Sequence, residues 1–184
     1  VFTSDHGYHL GEHGHWQKQT LFEHATRVPL IFSGPGISSG LGPIHDPVEL
    51  VDLYPTIMEL VDMEIPNFVR GKSLNPYFKG SKIPIRNSAL TELLVKTPEG
   101  MAQGYSIKTK RYRLNRWSYN NLFKYELYDH KDDQDELINL ANDQQYAKVL
   151  NSLKKILEIR VKSAQEYPEG LGRQIHEVQP WLEP

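Results

Sequence analysis

Hydrophobic and polar positions recur in three registers along this chain, and each register predicts a different element. Two short apolar runs, Val1-Phe2-Thr3 and Arg27-Val28-Pro29-Leu30-Ile31-Phe32, predict buried strands. Between them Gly7, Gly11 and Gly14 mark a loop, and residues 16–26 leave room for a helical turn. From Val48 the apolar residues recur three and four apart: Val48, Val51, Leu53, Tyr54, Ile57, Met58 and Val61. That spacing predicts a helix, with Asp46 as its cap, Pro47 at its first position and a kink or break at Pro55. Pro66 ends it, and a Pro- and Gly-rich run to Pro84 reads as a connection.

After Arg86 the period shortens to two. Ser88–Val95, Ala102–Lys108, Tyr112–Trp117 and Tyr125–Tyr128 predict an antiparallel meander of four strands, turning at Gly100, at Lys108–Arg111 and at Asn120-Asn121. Helical spacing returns at Tyr146, Val149, Leu150, Leu153, Ile156, Leu157 and Val161, an amphipathic helix with a charged outer face. The tail from Tyr167 is expected to wrap the surface. The pattern changes near residue 85. Residues 1–85 therefore read as the C-terminal end of an α/β layer, and residues 86–184 as a small antiparallel sheet with one helix.

Composition narrows the function classes. The 184 residues are 39% hydrophobic and 24% charged, ordinary for a globular protein with a real core. The net charge of -2 gives no electrostatic footprint for nucleic acid. No apolar run approaches the roughly 20 residues of a membrane span. The absence of cysteine excludes disulfides, thiolate metal sites and a cysteine-derived nucleophile within these residues.

The chemistry concentrates in the first eighteen residues. Ser4-Asp5-His6-Gly7, Leu10-Gly11-Glu12-His13-Gly14, Trp16 and Lys18 combine acids, histidines, a lysine and three glycines in a loop at a strand end. Sites of open α/β sheets gather at such carboxyl ends. Asp5 suits a hard divalent cation such as calcium, His6 suits it less, and two ligands are too few for a tight site. Lys18 is a compact positive charge that can neutralise sulfate or phosphate. Glu12 is a candidate base, although a carboxylate in a Gly-rich turn more often binds main-chain N–H groups. His9, His13, His15 and His24 read as structural or solvent-facing, and Trp16 as a core anchor.

This ordered set, Ser4-Asp5-His6-Gly7-x-x-Leu10-Gly11-Glu12-His13-Gly14-x-Trp16-x-Lys18 followed by Arg27-Val28-Pro29-Leu30-Ile31, resembles the C-terminal portion of the type I sulfatases. Within that family it is most similar to iduronate-2-sulfatase and its bacterial relatives. The resemblance continues through Val51-Asp52-Leu53-Tyr54-Pro55-Thr56-Ile57, Gly104–Thr109 with Arg111–Arg113, and Glu126–Asp129 with Asp135–Ala141. It implies the alkaline-phosphatase-like α/β sandwich with a smaller C-terminal antiparallel sheet. It also implies hydrolysis of sulfate esters of sugars or glycosaminoglycans, with Asp5 and His6 as ligands of an active-site calcium and Lys18 on the sulfate. Tyr8 and His9 share the loop and are weaker candidates for touching substrate.

The family's nucleophile is a formylglycine made from a Cys/Ser-x-Pro-x-Arg motif, and this chain contains none. The resemblance therefore implies a partner, the N-terminal part of the same enzyme, and a chain that is inactive unaided. It suggests a periplasmic, lysosomal or secreted setting. Two alternatives remain open: a phosphatase or phosphotransferase of the same fold, and a non-catalytic glycan-binding module using Trp117, Tyr119 and the basic turn from Lys108 to Arg113.

Overall fold

The computed structural model describes residues 1–98, 100–120 and 122–166, so the expected course of the tail from Tyr167 lies outside the described residues. Its largest element is a four-stranded antiparallel sheet in sequential order: β5 (Ala89–Thr97), β6 (Gly100–Lys108), β7 (Tyr112–Tyr119) and β8 (Leu122–Asp129). Alternation sends Tyr105, Ile107, Leu114 and Leu127 to one face. There they pack against Leu153, Leu157 and Val161 of α4 (Ala147–Gln165), which recur four apart on a single helix face. Ile107, Leu114, Leu127 and Leu157 are completely buried. Asn120, at positive φ, turns the chain between β7 and β8.

The first 85 residues hold shorter elements. β1 (Phe2–Thr3) pairs antiparallel with β4 (Leu30–Ile31), and β2 (His9–Leu10) pairs with β3 (Trp16–Gln17). α1 spans Glu23–Thr26, α2 Leu53–Leu60 and α3 Asn75–Phe78. Leu74, Tyr77 and Phe78 gather Leu30, Phe32, Val48, Leu60 and Ile85 into a second apolar cluster.

Four sequence expectations are corrected here. The helix predicted from Asp46 starts later, through a 3-10 turn at Leu50–Asp52 into α2. Its cap is Glu49, whose side chain and that of Asp52 bond each other's main-chain N–H groups. Pro55 consequently sits in the first turn of α2, where no intrahelical N–H is lost, and breaks nothing. Of the apolar run 27–32, only Leu30–Ile31 is strand. Trp16 is 67% exposed and is not a core anchor.

Two buried arginines tie the elements together. Arg86 donates through Nε to Asp52 Oδ2 at 2.7 Å and pairs through Nη1 with Glu49 at 2.9 Å, while Glu49 also receives Arg160 of α4. Arg113 of β7 lies on the sheet face away from α4 and joins Glu23 of α1, Glu136 (2.5 Å) and Ser106 Oγ (2.9 Å). Glu136 in turn accepts from the Glu23 N–H at 2.8 Å and meets His130 Nε2 at 2.6 Å. Glu23, His130 and Glu136 have the donor types of a metal site. The Arg113 guanidinium already supplies the positive charge among them.

Candidate functional site

The chain leaves β1 at Ser4 and turns tightly. Ser4 Oγ donates to the His6 carbonyl at 2.9 Å, and the His6 N–H donates to Asp5 Oδ1 at 3.0 Å. Gly7 then passes so close to α1 that its N–H reaches the Ala25 carbonyl at 2.8 Å. A Cβ at Gly7 would stand 1.9 Å from the His24 carbonyl oxygen, so only glycine fits this approach.

The turn brings three functional atoms together. His6 Nε2 lies 3.3 Å from Asp5 Oδ2, and Lys18 Nζ lies 2.8 Å from the same nitrogen. His6 Nδ1 is 2.7 Å from the Gly7 carbonyl, an acceptor only, so Nδ1 carries the proton and the Nε2 lone pair accepts from the Lys18 ammonium. Asp5 is exposed, with 81% of its side chain accessible. Desolvation works to raise its pKa, but hydrogen bonds from its own and the His6 N–H, with the nearby charge of Lys18, hold the carboxyl below its ordinary value. A carboxylate oxygen, an unprotonated imidazole nitrogen and an ammonium thus share one exposed spot. The first two fit a divalent cation and the third fits an oxyanion.

The other candidates separate. Tyr8 is 53% exposed. His9 is fully buried, with Nε2 on Thr20 Oγ1 at 2.7 Å and Nδ1 on the Glu12 carbonyl at 3.2 Å. Both its nitrogens are occupied, so His9 is a structural tie between the loop and Thr20 and offers no atom to a substrate. Burial pushes its pKa down despite the Glu12 carbonyl, and His24, His13 and His15 add to the fall. His24 lies with its ring 5.3 Å from that of His9, and His13 stacks on Phe22 at 3.9 Å. Glu12 Oε2 is bound by the Leu10 N–H at 2.6 Å, the turn role rather than that of a base.

Sequence reasoning missed Thr20 and Gln17. Gln17 holds φ at 135°, a strained value for a residue with a Cβ, immediately before Lys18. The His9↔Gln17 pairing of β2 and β3 fixes this strained step across from the loop and aims Lys18 at His6. The basic turn proposed as a glycan surface is largely consumed internally. Arg113 is buried, Lys108 Nζ donates to the Thr109 carbonyl, and Arg111 forks onto both oxygens of Asp129 at 2.7 and 2.6 Å.

Comparison with known proteins identifies the family. Residues 11–163 match a family model described as N-sulphoglucosamine sulphohydrolase, C-terminal. The chain is 32% identical over 163 residues to an N-acetylglucosamine-6-O-sulfatase of Bacteroides thetaiotaomicron, covering 86% of this chain and 29% of that protein. Among solved structures it superposes on a 2-O GAG sulfatase with a TM-score of 0.77 at 28% identity, covering 89% of this chain and 36% of that one. A structure solved in complex with its substrate D-glucosamine-2-N,6-O-disulfate gives a TM-score of 0.73 at 30% identity, covering 91% of this chain and 35% of that one. The chain thus spans about a third of the length of the proteins it matches. The fold is the C-terminal part of the alkaline-phosphatase-like sandwich, with its small antiparallel sheet and C-terminal helix.

Proposed function

We propose, from the premise that this chain belongs to the N-sulphoglucosamine sulphohydrolase C-terminal family, that it supplies the electrostatic half of a site hydrolysing sulfate esters of glycosaminoglycan sugars. The observation that carries this is the convergence of Asp5 Oδ2, His6 Nε2 and Lys18 Nζ at 3.3 and 2.8 Å. Asp5 and His6 would hold a calcium ion, which would supply positive charge to the sulfate group. Calcium favours oxygen ligands, so Asp5 is the stronger of the two and further oxygens come from outside this pair. The ammonium of Lys18 neutralises charge on the sulfate as the ester bond breaks. Tyr8, exposed in the same loop, is a weaker candidate for touching the sugar.

The nucleophile in this reading is a formylglycine hydrate from the N-terminal part of the same enzyme, and this chain unaided hydrolyses nothing. An iduronate 2-O-sulfate is the unit favoured by the likeness of the opening motif to iduronate-2-sulfatase. A glucosamine 6-O-sulfate is the alternative favoured by the bacterial relative.

The test is sulfate release, measured by ion chromatography, from the complete protein and from this chain alone. Both sulfated sugars serve as substrates, with a phosphate monoester as comparator. The complete protein should release sulfate, faster from iduronate 2-O-sulfate, and the chain alone should not. In the complete protein Lys18→Ala should lower kcat by about 10²–10³. Undiminished turnover by that variant would remove Lys18 from the site, and preference for the phosphate ester would overturn the sulfatase reading.

A further inference from the structure

A cleft of about 450 Å³ opens between the outer strand β8, the segment 139–142 and α4. It lies within the range of small-molecule sites, roughly 300–1,000 Å³. Phe123, Lys124, Tyr125, Asn139, Asn142 and Lys154 line it, together with Glu126. We propose that this cleft binds a sulfated sugar unit of a glycosaminoglycan chain, independently of the Asp5–His6–Lys18 cluster; the choice of polymer rests on the sulfatase reading.

The chemistry is that of an anionic carbohydrate. Lys154 is half-buried with Nζ 3.9 Å from the centre of the Tyr125 ring, so its stem is held while its charge faces the cleft rather than a carboxylate. Asn139 is oriented by its neighbours, because Oδ1 accepts both the Leu127 N–H at 3.1 Å and the Ala141 N–H at 2.9 Å. Its amide nitrogen is then fixed as a donor with no acceptor among the described residues. Asn142, also without a partner, adds a second amide. Phe123, 56% exposed, offers an apolar edge to a sugar ring. A cation with no carboxylate partner, amide donors and an aromatic wall match a ring carrying both hydroxyls and sulfate.

The full chain is to be titrated calorimetrically with a heparin-derived hexasaccharide and with its desulfated form. The parent should bind the sulfated form and lose affinity as sodium chloride rises. Lys154→Gln should bind about tenfold more weakly. Asn139→Asp keeps the oxygen that ties Leu127 and Ala141 while replacing the donor by a carboxylate, and should weaken binding by a similar factor. Equal binding of the sulfated and desulfated forms, or variants that bind like the parent, would overturn the proposal. Should Lys154→Gln fail to fold, Asn139→Asp and Asn142→Ala decide. Because the readout is binding, it is separable from the sulfatase reading: a complete enzyme that releases no sulfate leaves this result intact, and the reverse also holds.

Discussion

At the scale of single residues, the opening loop works because small details forbid alternatives. Gly7 is the clearest case. Gly7→Ala would drive a Cβ into the main chain of α1 rather than into a flexible side chain, so relaxation must move the loop that carries His6. A loss of about 1–3 kcal/mol is expected, seen as a lowered melting temperature with a parallel loss of activity in the complete protein. His9 gives a second prediction. Its folded pKa is depressed, so between that value and its ordinary one near 6.5 the unfolded chain binds a proton that the folded chain does not. The stability it contributes is complete above about pH 6.5 and is lost as pH falls through the folded pKa. Melting curves at pH 7.5 and 5.5 should show a smaller acid-induced drop for His9→Gln than for the parent.

These residues also mark how far sequence alone reaches. The residue types of Asp5, His6 and Lys18, and the glycines between them, announce a charged loop at a strand end. Their convergence is a three-dimensional fact. Trp16 misleads because a large aromatic signals burial on average, yet the β2–β3 ribbon turns it outward. His9 misleads in the other direction, since a histidine among candidate ligands looks chemical until both its nitrogens are found occupied.

At the scale of elements, legibility follows the length of the pattern. The period of two over residues 88–128 and the four-residue recurrence along α4 yield all four strands and the covering helix, although β8 begins at Leu122 rather than at the expected Tyr125. The elements before residue 85 are two to eight residues long, and no period establishes itself over so few positions. Leu157 sits at the centre of the well-patterned part. Leu157→Ala should cost about 2–5 kcal/mol. In a chain of this size that lowers the melting temperature by about 2–4 °C for each kcal/mol, measurable by calorimetry.

At the scale of the whole molecule, charge pairs far apart in sequence hold the parts together, and no local pattern foretells them. Glu23, Arg113 and Glu136 are the main example. Arg113→Met removes the cation from two carboxylates, one of them wholly buried, and should destabilise by about 3–5 kcal/mol. Burial alone would raise the Glu136 pKa, but His130, Arg113 and the Glu23 N–H together hold it below its ordinary value. Its contribution is therefore present above the ordinary glutamate range and is lost as pH falls through the lower, folded pKa. The acid limb of the stability profile should flatten in Arg113→Met, a comparison made by chemical denaturation from pH 7 to 3. Surface tells a related story. Val1, Phe2, Ile31, Leu50, Val51, Tyr54, Ile57 and Val61 are all exposed, an apolar area that promotes association of the chain on its own. Sedimentation should show self-association that Phe2→Ser/Ile31→Ser reduces.

The Arg113 junction has a consequence for how the molecule breathes. Glu23 begins the same short helix whose end Gly7 abuts, and its N–H is tied to Glu136 beyond the sheet. The charged loop cannot loosen without cutting an anchor on β7, and β7 cannot fray without releasing the loop. Amide exchange should register this as one opening event, with Gly7, Glu23 and the central strands β6 and β7 exchanging at a shared free energy. After Arg113→Met that single event should divide into two, the loop opening first while the sheet stays closed.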